Sequence, residues 1–309
     1  MLKNALNILK KRKFENDIIH HEENQYLNLI DDILNEGEMV EGRNGKTLTV
    51  FGSSMHFSLE NNNIPLLTTK KVAWKTCLKE LVWFINGSTD NEILQKQNVK
   101  IWNGNASREY LDSIGMTERG ENDLGPVYGH QWRFFNAKYS DCKQDYTGQG
   151  IDQLINIIND LKDNKKKYSR RLIMSAWNPC QLDEMALPPC HVLVQFNVLP
   201  GDKLSCSLYQ RSGDVGLGVP FNIASYSMLT HILAKHCDLN PCEFNYHLGN
   251  AHIYDDHIEI LKLQIKRRPY VFPKINILNK HDNINDYNIE DIELVDYKHH
   301  EPLLMDMRK

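Results

Sequence analysis

Cys190 follows Leu187, Pro188 and Pro189 and precedes His191, where a run of alternating apolar and polar residues begins. A thiol at that point is displayed at a sheet edge beside a loop, on a backbone held rigid by the strand, which suits a nucleophile. The ordinary role of a lone cysteine is a small buried apolar residue, so its company decides. Arg211 lies one hairpin away on the facing strand, where a guanidinium can lower the thiol pKa and bind an anion; Arg170 and Arg171 precede another strand. Each of these arginines alone reads as a surface ion pair.

Three other constellations invite chemistry and carry less. His231, His236, Cys237, Cys242, His247, His252 and His257 suggest a metal. The two cysteines are split across a helix end, however, and the histidines fall at mixed helical phases, so no zinc spacing results and structural or solvated roles are expected. Gly213, Gly216 and Gly218 do not follow a strand and open a helix as a dinucleotide motif does. Asn222 has a simple role as N-cap of the helix after it.

The elements that position these residues follow from periodicity. Tyr26 to Asn35 carries a helical period that stops at Gly37, and Val72 to Asn86 places Trp74, Cys77, Leu78, Leu81 and Ile85 on one face, with Glu80 at its edge. Residues 103–122 and 137–150 are rich in Gly, Ser, Asp and Asn and read as long loops, followed by an amphipathic helix at Ile151 to Leu161. Leu172 to Trp177 reads as a strand. Cys190 to Val198 puts Val192, Val194, Phe196 and Val198 on one face and His191, Leu193, Gln195 and Asn197 on the other. Pro200, Gly201 and Asp202 turn into a strand at Lys203 to Arg211; residues 213–221 form an irregular link, and helices follow at Ile223 to Cys237 and Asp255 to Ile265. Helices alternating with a mixed β-sheet core give an α/β (α+β) class in one large domain at 25–309, preceded by a polar, mobile tail at 1–24.

The 309 residues carry a net charge of −4, which excludes a generally basic, phosphate-seeking protein. At 41% hydrophobic and 25% charged the composition is that of a globule, and no apolar run is long enough for a membrane helix or a signal peptide. Seven scattered cysteines argue for reduced thiols and an intracellular, cytoplasmic setting. The cluster Lys10, Lys11, Arg12, Lys13 reads as a solvated tail, with nuclear entry or nucleic-acid contact as the alternative.

Read together, three long segments resemble the thymidylate synthase family. They are Met185-Ala-Leu-Pro-Pro-Cys-His191, the run from Tyr209 through Asn222 to Tyr226, and Gly249-Asn-Ala-His-Ile-Tyr254. Thr68-Thr69-Lys70, Glu80 to Phe84, Leu124 to Arg133 and Ser169-Arg170-Arg171 extend the resemblance from about Gln25 to the C-terminus, and the two loops look like insertions of the eukaryote-type branch. The resemblance implies reductive methylation of dUMP to dTMP, with 5,10-methylenetetrahydrofolate as co-substrate giving carbon and hydride, and no metal.

On that resemblance Cys190 adds to uracil carbon 6, converting carbon 5 into a nucleophile. Arg43, Arg211 and Ser212 clamp the phosphate, joined by Arg170 and Arg171 from the second subunit of a homodimer. Asn222, with Asp214 nearby, reads the uracil edge, and His252 with Tyr254 holds the ribose 3′-hydroxyl. Glu80 relays protons through water, while Tyr128 and His191 serve loss of the carbon 5 proton. Lys70, Ile101, Trp102, Asp214, Leu217, Gly218, Phe221 and Met305 cradle the folate.

This chain departs from the family pattern at four places: a shortened Arg43 loop, Asn103 and Asn250 where the family has Asp, and a cationic Arg308-Lys309 ending in place of a small apolar one. The ending is expected to bring two cations toward a cleft containing Arg43, at a cost in repulsion and desolvation, and so to loosen the tail that folds over folate. The nearest rival is a pyrimidine nucleotide hydroxymethylase. Asn222 opposes cytosine, which wants an acid there, and Trp102 opposes completion by water. RNA binding, motivated by Lys165 to Lys167 and the basic tail, is a candidate second function.

Overall fold

The alternating segments on either side of Gly201 form the centre of a six-stranded sheet. A computed structural model describes residues 21–42 and 44–308; the basic cluster at 10–13, Arg43 and Lys309 lie outside the described residues. In chain order the elements are α1 (Asn24–Glu36), β1 (Glu38–Gly42), β2 (Gly45–Ser58), α2 (Trp74–Ile85), α3 (Asn91–Lys96), α4 (Asn103–Ala106), α5 (Arg108–Ser113), α6 (Tyr128–Phe134), α7 (Gln153–Lys162), β3 (Ile173–Ser175), β4 (His191–Leu199), β5 (Lys203–Asp214), α8 (Gly218–His236), β6 (Asn240–Tyr254), α9 (Ile258–Gln264), β7 (Lys274–Ile277) and β8 (Ile292–Val295). The sheet order is β1-β2-β6-β5-β4-β3, with β7 and β8 a separate pair. Neighbours are antiparallel except β5 and β6, whose parallel pairing needs the crossover that α8 supplies.

Alternation buries Val194, Phe196 and Val198 of β4 and Leu204, Cys206 and Leu208 of β5, and α8 packs on β5 and β6. This helix is buried on nearly all sides, as a helix apolar all round must be. Phe57, Phe244 and Tyr246 are wholly buried, each worth roughly 1.5–3 kcal/mol of transfer free energy. On the opposite face Ser54, His247, Tyr209, Leu193 and Ser175 stand side by side in register. Tyr209 and Ile173 are exposed there.

Several expected boundaries move for identifiable reasons. Asp152 accepts a hydrogen bond from the Ile155 amide at 2.9 Å, so α7 starts at Gln153 and not at Ile151. The 103–122 loop contains two short helices, the second capped by Ser107. The irregular link at 213–221 shrinks, because β5 gains ladder partners from β6 as far as Asp214 and α8 begins at Gly218, with Pro220 in its first turn where a missing N–H costs little. Asn222 therefore lies within the helix and does not cap it. Glu23, expected in the tail, is fully buried and accepts hydrogen bonds from the amides and hydroxyls of Thr68 and Thr69 at 2.6–3.0 Å.

One register shift reaches the chemistry. Between His191 and Leu193 the pairing of β4 with β5 slips, so Val192 is only half-buried. The His191 ring, expected on the outer face, instead packs against Tyr128 and Tyr226 at centroid distances of 5.0 and 5.3 Å. A bulge adds one residue to one strand and so exchanges the two faces beyond it.

Candidate active site

Cys190 ends the Pro-Pro approach one residue before β4. Arg211 is tied to that approach: its Nε donates to the Pro189 carbonyl at 2.9 Å, its Nη2 to the Pro188 carbonyl at 2.8 Å, and its backbone N–H to the Cys190 carbonyl at 2.9 Å. Its guanidinium also lies 5.6 Å from the centre of the Trp177 ring. The Cys190 backbone N–H donates to the Tyr128 hydroxyl at 2.7 Å, and the His191 N–H reaches the same oxygen at 3.4 Å. That oxygen is therefore an acceptor on the protein side, and its own hydrogen can be given elsewhere. Burial first, then the negative charge of a nearby Cys190 thiolate, holds the phenol well above its ordinary pKa. Gly125 sets the approach to Tyr128: its φ is +75°, and a β-carbon there would lie 2.1 Å from the Glu184 carbonyl oxygen.

From Tyr128 an aromatic wall leads to Glu80. The Tyr128 ring lies 4.8 Å from Phe84 and 6.1 Å from Trp102, and the Trp102 indole N–H donates to Glu80 Oε1 at 2.7 Å. Burial pushes the Glu80 carboxyl up to about 7, with the Trp102 bond opposing. A carboxyl poised near neutrality can both give and take a proton. His191 is driven the other way, down to about 4, by burial, with a hydrogen bond from its ring to the Asn222 side chain opposing. It is a neutral imidazole at physiological pH, and its buried Nδ1 has no partner among the described residues. Asn222 Oδ1 stands 3.5 Å from the Tyr246 hydroxyl, which donates to Gln210 Oε1 at 2.6 Å. Tyr246 and Gln210 were not singled out from sequence: the strand that holds Tyr246 was not read there, and Gln210 falls with Leu208 on the interior side of its strand.

The far side is built by the turn from β5 into α8. Asp214 Oδ1 accepts the amides of Gly216 at 2.8 Å and Leu217 at 3.3 Å. Lys70 is buried, and its ammonium donates to the Gly216 carbonyl; burial lowers its pKa to about 8, with Asp214 and Glu23 opposing. In this structure Lys70 thus fastens the turn. Leu217 within the turn and Phe221 just after it are half-buried, as is Ile101, and Gly218 opens α8.

The C-terminal segment closes over the same turn. A β-carbon on Gly216 would meet Met305 Sδ at 3.2 Å, and His257 Nε2 donates to the Asp306 carbonyl at 2.8 Å. Burial opposes protonation of His257, but the Asp214 carboxylate and the Asp306 carbonyl outweigh it and raise the pKa. Arg308 corrects an expectation: it is not an unmatched cation. Its guanidinium pairs with Asp255 at 2.9 Å and Asp256 at 3.0 Å and lies 5.7 Å from the centre of the Tyr254 ring. The signal was present in sequence as the acidic pair directly after Tyr254.

On β6, His252 Nδ1 stands 2.9 Å from Asn250 Oδ1, and Ser212 pairs in register with Asn250. Arg170 and Arg171 are exposed just before β3; the Arg170 carbonyl accepts from the Gln195 side chain, and the Arg171 backbone meets the Ser169 hydroxyl and the Ile173 amide. Among the described residues no hydrogen bond or ion pair joins them to the cluster around Cys190. The metal-like set is dispersed: His231 bonds the Asn63 carbonyl, His236 the Lys162 ammonium and His257 the tail. Lys166 and Lys167 pair with Asp160 and Asp202. A cavity of about 780 Å³ beneath the 137–150 loop, walled by Trp83, Phe134, Tyr146 and Asp152, includes none of the candidate residues. Among the described residues no helix is long and apolar enough to cross a membrane.

A family model described as thymidylate synthase matches residues 24–309. The chain is 52% identical to a thymidylate synthase of Saccharomyces cerevisiae over 296 residues, which cover 93% of this chain and 97% of that one. It is also 52% identical to bifunctional dihydrofolate reductase-thymidylate synthases of Paramecium tetraurelia, over 97% of this chain, and of Arabidopsis thaliana, over 93%. It spans 64% and 50% of the length of those two relatives.

Proposed function

Because the chain belongs to the thymidylate synthase family, we propose that it methylates dUMP to dTMP with Cys190 as nucleophile. The observation that carries this reading is the continuous line of contacts from Cys190 through Tyr128 and Trp102 to Glu80. It sets a thiol, a phenol and a half-ionised carboxyl along one wall, as successive addition and proton transfer on a flat ring require.

The Cys190 sulfur bonds to uracil carbon 6, and the electron pair of the 5,6 double bond moves to carbon 5 and oxygen 4. Glu80, in its protonated form, holds a proton toward oxygen 4 through water while that charge develops. When carbon 5 has taken up the one-carbon unit its proton leaves through the Tyr128 and His191 network, and the sulfur–carbon bond breaks to restore the ring and the thiolate. 5,10-Methylenetetrahydrofolate, when bound, supplies the one-carbon unit and the hydride that completes the methyl group, leaving as dihydrofolate. The residues present fit such a group: Trp102 and Phe221 offer flat apolar walls, Asp214 a carboxylate and Gly216 to Gly218 a turn with little side-chain bulk. Asn222 holds the uracil edge, and Arg43, Arg211 and Ser212 hold the phosphate.

A homodimer belongs to the same reading. The in-register row on the open sheet face, with Tyr209 and Ile173 exposed, supports a second copy docking there, and the exposed Arg170 and Arg171 then reach the other subunit's phosphate. The test is anaerobic incubation with dUMP and methylenetetrahydrofolate, following dihydrofolate absorbance and identifying the nucleotide. Formation of dTMP with equimolar dihydrofolate is expected; a 5-hydroxymethyl product, or salt-sensitive RNA binding without turnover, overturns the assignment.

A further inference from the structure

His252 and Asn250 lie two residues apart on β6 and so project from the same face of the strand. The 2.9 Å contact between His252 Nδ1 and Asn250 Oδ1 joins a ring nitrogen to an atom that only accepts. A neutral imidazole bonded in this way carries its hydrogen on Nδ1 and presents Nε2 as a bare acceptor. We propose that Asn250 is a positioning residue, which locks His252 in that tautomer so that Nε2 accepts a hydrogen bond from a hydroxyl of the bound nucleotide. This rests on the assignment of dUMP to the site.

The chemistry at position 250 matters because an amide and a carboxylate act differently on an imidazole. A carboxylate on Nδ1 favours the doubly protonated ring, which donates from both nitrogens and has no acceptor left. An amide lacks that pull. The groups around His252 do not replace it. From β5, Asp214 faces His252 in register, but its Oδ1 is engaged by the Gly216 and Leu217 amides and is approached by His257. From β2 the facing residue is Thr49, uncharged and bonded to Thr47. On β6 itself Tyr254 meets the ring edge-on at 5.4 Å, and the tail's Arg308 adds a positive charge beside Tyr254. Burial lowers the His252 pKa, with the Asp214 carboxylate and the Asn250 backbone carbonyl opposing, in keeping with a neutral ring.

The test uses the full-length protein and two variants, Asn250→Asp and Asn250→Leu. Long-range proton–nitrogen NMR, with His252 assigned through His252→Gln, should show the Nδ1–H tautomer in the wild type from pH 6 to 8. In Asn250→Asp the ring should titrate within that range. The KM for dUMP should be flat over the same range in the wild type and acquire a step in Asn250→Asp that follows the NMR titration, with kcat changing much less. In the wild type, removing the 3′-hydroxyl of dUMP should weaken binding by up to about tenfold, the worth of one neutral hydrogen bond. Asn250→Leu should shrink that factor. An Nε2–H tautomer in the wild type, or the same KM profile in Asn250→Asp, overturns the proposal. Failure of dUMP to bind would instead overturn the substrate assignment, while the NMR arm still decides the tautomer.

Discussion

Replacing Glu80 by Gln should make the protein more stable at alkaline pH while abolishing turnover. Burial raises the Glu80 carboxyl from an ordinary 4.5 to about 7. Between those values the folded state holds a proton that the unfolded state has released, so stability falls as pH rises through the window. The cost is small below pH 4.5 and complete above pH 7. That displacement corresponds to roughly 3 kcal/mol, most of it lost between pH 5 and pH 8. Gln keeps the size and the acceptor for the Trp102 indole but removes the titration. Denaturant unfolding of both proteins at pH 5 and pH 8, at fixed protein concentration, isolates the effect: the stability difference between variant and wild type should grow by roughly 2–3 kcal/mol in favour of the variant. A change below about 0.5 kcal/mol would mean that Glu80 is not held neutral by its surroundings, and its part as proton relay would lose its physical basis.

Cys190→Ala should still bind dUMP but form no covalent ternary complex with 5-fluoro-dUMP and folate on a denaturing gel; a surviving complex removes Cys190 from its role. Asn222→Asp should lose dUMP turnover and gain processing of dCMP, with the ratio of kcat/KM values moving by at least tenfold, since an unpaired buried group costs about 1–3 kcal/mol. An unchanged ratio would show that another residue reads the base. Arg308→Ala should free the C-terminal segment, seen as faster carboxypeptidase trimming and a folate KM raised a few-fold, with the wild type approaching the variant at high salt. Equal trimming rates at low salt would exclude a clasp between Arg308 and the Asp255–Asp256 pair.

The parts of the site legible in the sequence are those written in contiguous runs. Cys190 with its two prolines and the strand containing Arg211 is a hairpin, and a hairpin brings residues close in space that are close in the chain. Asn222 was misplaced as a cap because Gly213, Gly216 and Gly218 suggest a loop. The parallel ladder between β5 and β6, which fixes where β5 stops, joins segments with α8 between them and leaves no local mark. Glu23 shows the same limit. Its carboxylate is defined by Thr68 and Thr69, some 45 residues on, and nothing in a charged N-terminal stretch of sequence distinguishes it from the other charged residues there. The face of His191 was lost to a single bulge, which alternation cannot register because it assumes two residues per repeat.

The ionisable groups along the wall share a property that no one of them reveals. Glu80 is raised to about 7, His191 is lowered to about 4 and Tyr128 is held far above its ordinary range, each with burial as the first cause. Every one of these shifts favours the uncharged form. Fixed guanidinium charge stands apart from that wall, with Arg211 on the Pro188–Pro189 backbone and Arg308 on its two carboxylates. Such a division separates two demands that conflict in a single medium. A phosphate dianion is bound best by fixed guanidinium charge, whereas a transient enolate on the base is served by groups that can donate a proton or a hydrogen bond without a field already committed to either sign.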